Sequence, residues 1–252
     1  MMSLTHKKSC SKYRRISFLL VLLAIITSII LFRSKYVIIG NIIYAKSTTA
    51  INGIHLNQNN VRISELNKCS NIEYLSVWGA NDTALTEMKA FDKLTVIDIF
   101  NSEISTFGIA KLNKVSNLND LLLVRSYCDL SGIKNDSLRI ISMSLCEISN
   151  ITDLYDCISL TSLYLKEVII NDKLVEDAEK CKEYALKDSS DFSALDNIKE
   201  LHIYNTVIED ISGIVEMDSL EVFYVSKGAL SDDNRNTLEN NGIRIIEEES
   251  AE

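Results

Sequence analysis

The chain has 252 residues, room for one or two domains, and its formal charge of −9 is unevenly spread. Residues 1–46 carry eight Lys/Arg and no Asp or Glu, whereas the remainder carries 18 basic against 35 acidic side chains, a net of −17. A body that acidic repels polyanions, which excludes nucleic acid as a partner and opposes contact with anionic membrane or wall polymers.

The first fifteen residues hold Lys7, Lys8, Lys12, Arg14 and Arg15. Residues 16–32 follow with no charge. As a helix they span about 25 Å, slightly short of a ~30 Å hydrocarbon core, and Arg33 and Lys35 can snorkel to cover the shortfall. The basic excess before this segment predicts a cytoplasmic tail over 1–15, a transmembrane signal-anchor over 16–32 and export of the rest. A cleaved signal peptide is the alternative; its apolar region is usually shorter and followed by an A-x-A-like site, and none is evident. Residues 33–50 read as a juxtamembrane stretch. Within it, residues 36–45 (YVIIGNIIYA) are too few to span a membrane. They are placed either to cover the raw apolar end of the segment that starts at residue 51 or to lie in the membrane interface.

From residue 51 the apolar residues obey neither helix nor strand periodicity. Ile148, Ile151, Leu154, Cys157, Leu160, Leu163, Leu165 and Ile170 are spaced three, three, three, three, three, two and five apart. A row of threes drifts off one face of a helix, and a strand alternates in twos. A chain that coils once per 20-odd residues can keep such a row inward. The same triplet recurs at Ile51, Ile54, Leu56; Ile72, Leu75, Val77; Leu94, Ile97, Ile99; Leu118, Leu121, Leu123; Leu138, Ile141, Met143; and Leu160, Leu163, Leu165. Ile198, Leu201, Ile203 and Leu220, Phe223, Val225 complete it, with starts 21, 22, 24, 20, 22, 38 and 22 residues apart.

This LxxLxL recurrence resembles the leucine-rich repeat, in the roughly 22-residue form of bacterial internalin-type surface proteins. The resemblance implies an α/β repeat: a leucine-rich-repeat solenoid over residues 51–230, with parallel strands on a concave face and an irregular or short-helical convex side, after one transmembrane helix. In the family, an Asn three residues after the last strand aliphatic ties the turns together. Here that column reads Asn59, Ala80, Ser102, Ser126, Cys146, Val168, Thr206, Gly228, so a weak ladder is expected.

The 38-residue step marks an insertion. Residues 172–187 have helical pattern, with Leu174, Ala178, Cys181 and Ala185 on one face, and read as a convex decoration or a partner-binding knob. Ser231 with Asp232 and Asp233 reads as a helix N-cap, Asn241-Gly242 as its end, and Ile243, Ile245 and Ile246 as a last strand. Residues 231–252 are thus a C-terminal cap with an acidic tail that keeps its edge unpaired.

Nothing in the sequence supports catalysis, a metal or a cofactor. No C-x-x-C pair and no GxSxG, HExxH, GxxxxGK[ST] or GxGxxG string occurs. Cys69 and Cys157 occupy core slots and read as buried free thiols. His55 and His202 fall on exposed mid-strand positions six repeats apart, too far to share a metal. The informative residues are those facing away from the core in x-L-x-L-x. Trp78, Phe100, Leu122 and Val124 fall side by side, and Tyr74, Tyr164, His202, Tyr204 and Tyr224 extend the strip along the concave face. This arrangement predicts a surface for a protein or peptide ligand. A saccharide-binding or envelope-structural module and an accessory subunit of another membrane protein are the alternatives.

Overall fold

The structure, a computed structural model, describes residues 4–39, 42–56, 63–86, 91–170 and 184–249, with side chains from residue 18 onward except those of Ile63 and Tyr184. Helix α1 (Leu4–Lys35) contains the apolar segment, and its stretch Phe18–Lys35, mean hydropathy 2.1, is long and apolar enough to cross a membrane. A hairpin follows directly, β1 (Tyr36–Ile39) antiparallel to β2 (Ile42–Ala45). Its Val37 and Ile39 enter the core and its Tyr44 packs against it. The stretch therefore covers the first turn, as alternation of its apolar residues demands.

Each later turn places one strand on the concave face, and several add a short strand after the bend. In order these are β3 (Ala50–His55), β4 (Tyr74–Trp78), β5 (Val96–Phe100), β6 (Glu103–Ile104), β7 (Asp120–Val124) and β8 (Tyr127–Asp129). Then come β9 (Ile140–Ser144), β10 (Glu147–Ser149), β11 (Ser162–Lys166), β12 (Ile169–Ile170) and β13 (Tyr184–Leu186). The last are β14 (Glu200–Tyr204), β15 (Thr206–Ile208), β16 (Val222–Ser226) and β17 (Arg244–Glu248). Nine of them, β3, β4, β5, β7, β9, β11, β14, β16 and β17, form one parallel sheet in sequence order. Its apolar face is the triplet: Leu75, Ile97, Leu121, Ile141, Leu163, Leu201 and Phe223 are all at most 1% exposed. Each such side chain contributes roughly 1.5–3 kcal/mol, an upper figure because the unfolded chain is not fully extended.

What turns the chain out of this sheet is a column of left-handed residues. Gly79, Asn101, Arg125, Leu145, Glu167 and Asn205 each follow a concave strand directly, the five non-glycines at φ between 47° and 55°. The N–H groups of the first five donate to the final carbonyl of the next concave strand at 2.9–3.2 Å. The backbone is thereby satisfied from turn to turn. Behind it the expected weak ladder is instead a ladder of hydroxyls. Ser102 Oγ accepts from Ala80 N–H at 2.8 Å and Ser126 Oγ from Ser102 N–H at 3.2 Å, while each donates to the carbonyl two residues back. Ser226 Oγ accepts from Asn205 N–H in the same way, and the Cys146 thiol donates to the Leu123 and Ser144 carbonyls. A hydroxyl both donates and accepts, so it does part of the work of an amide in that slot.

On the convex side, carboxylates join the turns. Asp129 accepts from Ser131 N–H, the Thr106 hydroxyl and the Asn150 amide at 2.7–3.0 Å, spanning three turns. Burial pushes its carboxyl up, but those donors more than offset it and hold its pKa at about 2. Cys69, Cys128, Cys146 and Cys157 are all buried and free.

Two expectations about the turns are corrected. The first triplet is out of phase: β3 pairs Ile51 with Leu75 and Ile54 with Val77, so two residues oppose the single Ser76. This β-bulge is housed by Gly53 at φ 67°, a conformation that favours glycine. The helical reading of 172–187 also fails at its end. Tyr184–Leu186 is a strand parallel to Thr206–Ile208, and Leu186 is buried. Residues 172–183, with Leu174, Ala178 and Cys181, lie outside the described residues. The 38-residue step does not interrupt the sheet, since β11 pairs directly with β14. At the C-terminus, Ser231 Oγ caps the helix Asp232–Asn240 by accepting from Asn234 N–H, and Leu238 and Ile243 close the core.

Candidate functional site

The concave sheet presents three outward columns, and the parallel register makes equivalent side chains neighbours. The last column begins with a residue the sequence pattern placed elsewhere. Because of the bulge at Gly53, His55 pairs with Trp78 rather than with Ser76. The rings of His55 and Trp78 stack at 5.3 Å, and those of Trp78 and Phe100 at 4.7 Å with 13° between planes. Val124 continues the column beside Phe100, and Leu122 lies beside Asp98 in the middle column. Tyr74 donates to the Asp98 carboxylate. Burial raises the Asp98 pKa, the Tyr74 hydrogen bond opposes that, and Asp120 adds to it. One oxygen of Asp120 is buried without a hydrogen-bond partner.

The strip then breaks. Strand β9 contributes Ser142 and Ser144, between Leu122 and Val124 on one side and Tyr164 and Lys166 on the other. Sequence position alone suggested one continuous strip; the small side chains divide it into two patches, and Phe100 and Tyr164 stand three strands, about 14 Å, apart.

The second patch is organised around His202. It was expected to be exposed, but it is 6% exposed, because Tyr164 stacks on one face at 3.8 Å and Tyr224 on the other at 3.9 Å. His202 Nδ1 lies 3.0 Å from the Tyr204 hydroxyl, which itself donates to Glu248 at 3.0 Å. The single phenolic proton is thus committed to the carboxylate, so the imidazole proton sits on Nδ1 and donates to Tyr204. That leaves Nε2 a bare acceptor, buried without a partner, with Glu200 Oε2 at 3.9 Å. Burial lowers the His202 pKa, and Glu200 and Glu248 pull against it without overcoming it. Burial and the Glu248 hydrogen bond together push the Tyr204 hydroxyl up. Glu200 and Glu248 were not singled out from sequence. The signal for Glu200 was its place one residue before Leu201, in the first outward column; Glu248 was read as part of the acidic tail, whereas the last strand extends through it and pairs it with Ser226.

Trp78, Phe100 and the three tyrosines of the second patch are half-buried, because each lies against its strand neighbours and not under another layer. Among the described residues no group of three or more His, Cys, Asp or Glu is arranged to hold a metal ion.

No protein-family model matches the sequence, and no curated protein matches it. Solved structures are similar to it at low identity. Internalin C2 of Listeria monocytogenes is 16% identical over 82% of this chain and 80% of that one, with a TM-score of 0.44. A second internalin of that organism is 14% identical over 82% of this chain and 66% of its own, with a TM-score of 0.48. A leucine-rich-repeat protein of Leptospira interrogans is 14% identical over 74% and 51%, with a TM-score of 0.44. On its own geometry, with one parallel strand per turn, a left-handed residue directly after six of the nine and the aliphatic triplet inside, the chain is a leucine-rich-repeat solenoid of internalin-like repeat length behind an apolar helix.

Proposed function

We propose that the chain is a non-catalytic, membrane-anchored module, exported beyond its first helix, that binds a protein or peptide along its concave face. One observation carries the reading: two clusters of aromatic side chains lie half-exposed on a sheet face that has no covering layer among the described residues. Aromatic side chains of this kind are the usual anchors of protein interfaces. The geometry also favours a polypeptide over a saccharide. Trp78 has both faces occupied, by His55 and Phe100, and His202 by Tyr164 and Tyr224. Sugars stack on free ring faces; these two rings offer edges instead, which suit main-chain and side-chain contacts. Glu200 and Glu248 favour a cationic residue of the ligand at the second patch.

The test is site-specific photocrosslinking in the full-length, membrane-inserted chain, with the photoreactive residue at Phe100, at Tyr224 or at the convex Phe107. A discrete protein adduct from the first two positions and none from Phe107 is expected. Equal labelling from all three, or binding to a glycan array abolished by Trp78→Ala, overturns the reading.

A further inference from the structure

The junction between α1 and the solenoid has no linker, since α1 ends at Lys35 and β1 begins at Tyr36. The hairpin there has two apolar faces. Val37 and Ile39 point into the core, with Tyr44 and the exposed Ile42 opposite them on the same face, while Tyr36, Ile38 and Ile43 point the other way and are 42–56% exposed. Phe32 of the helix stacks on Tyr36 of the hairpin at 5.1 Å. Between the two elements runs a groove of about 1200 Å³. Its long wall is apolar, formed by Val21, Ala24, Ile25 and Ile29 of α1, and at the solenoid end it is rimmed by Arg33, Lys46 and Lys68. The Lys46 N–H donates to the Lys35 carbonyl at 2.8 Å, holding that lysine at the foot of the helix.

The three cations have no ion-pair partner among the described residues. Charge along the chain explains why. Residues 1–72 contain ten Lys/Arg and one acid, Glu65, whereas residues 73–252 contain 16 basic and 34 acidic side chains. The acidity that sets the body against anionic surfaces is therefore absent from the turn next to α1. An apolar groove along a bilayer-length helix, lined towards the solenoid by cations without ion-pair partners among the described residues, matches one ligand chemistry: acyl chain below, phosphate above.

We propose that this groove binds one anionic phospholipid, its acyl chain along Val21–Ile29 and its phosphate among Arg33, Lys46 and Lys68. The site rests on the reading of α1 as a membrane anchor. Its consequence is orientation. The basic first turn is held on the leaflet while the acidic remainder is repelled from it, so the solenoid stands away from the surface with its concave face accessible.

The experiment uses the full-length chain in nanodiscs of phosphatidylcholine containing phosphatidylglycerol, with retained lipid read by native mass spectrometry after detergent extraction. Phosphatidylglycerol should be retained over phosphatidylcholine by the wild type. The double variant Lys46→Gln/Lys68→Gln should lose that preference by about tenfold or more, with an unchanged melting temperature. Ser28→Trp, which fills the apolar wall inside the bilayer, should displace the lipid without altering any charge. Equal retention of both lipids by a firmly inserted wild type, or full retention by both variants, overturns the site alone. Release of the wild-type chain from membranes by alkaline carbonate overturns the anchor and the site together.

Discussion

The two aromatic patches use the same columns of the same sheet, yet they are held in different ways. Around Trp78 the contacts are ring against ring, and the neighbouring columns are tied by the hydrogen bond from Tyr74 to Asp98. Around His202 the stack is tighter, and it is locked from the side by a chain of hydrogen bonds through Tyr204 to Glu248, a residue on the final strand. In a solenoid each turn answers only to its neighbours, so equivalent positions can carry unrelated chemistry. The first patch is a surface resting on a finished core. The second is partly a core of its own, and its integrity depends on the C-terminal cap.

The most damaging change should therefore separate the patches. Deleting residues 231–249 removes Glu248, exposes Phe223 and Val225 and uncaps the last turn. Hydrogen exchange should show protection lost across β14 and β16 and retained in β4 and β5, with several side chains at roughly 1.5–3 kcal/mol each no longer buried. Uniform loss along the sheet would show that the turns unfold as one unit.

Next in size is a pair of single substitutions. His202→Ala opens a gap between two tyrosines and unpairs the Tyr204 oxygen, and should cost about 2–3 kcal/mol in urea unfolding. Trp78→Ala removes a half-buried ring and should cost about 1 kcal/mol, while weakening ligand binding at least about tenfold. Reversed stabilities would mean that Trp78, not His202, is the covered residue.

The patches should also part on acidification. His202 has a lowered folded-state pKa, so below its unfolded value of about 6.5 the unfolded chain binds a proton that the native chain refuses, and stability falls as pH drops below that point. Denaturant melts from pH 7 to 5 should show this loss in the wild type and not in His202→Phe, which keeps a ring in the stack. Asp129 acts later. With its folded-state pKa at about 2, its contribution is complete above its unfolded value of about 3.9 and fades only as pH falls towards 2.

The smallest effect lies between the patches. Leu145 follows the dividing strand directly at φ 55°, where a leucine is strained, and its side chain is exposed. Leu145→Gly should stabilise the protein by about 0.5–1 kcal/mol, read as a rise in melting temperature with no change at either patch.

The repeat itself was legible because it is local. An aliphatic triplet every 20 to 24 residues, with one step of 38, leaves no other way to bury Leu75, Ile97 or Leu163, and the capping signals at Ser231 and Asn241-Gly242 act within a few residues of themselves. The same holds for the apolar run that becomes α1 and the alternation that sends Val37 and Ile39 inward. What the tertiary structure decided was register and company. One extra residue at Gly53 moved His55 onto Trp78, and the pairing of β11 directly with β14 brought Tyr164 onto His202 across 38 residues. Tyr184–Leu186 became a strand because Thr206–Ile208 offered an edge, whatever its own helical pattern. Burial in the core follows from which residues are apolar, and that is written along the chain. Stacking on the outer face follows from which strands lie side by side, and only the folded sheet determines that.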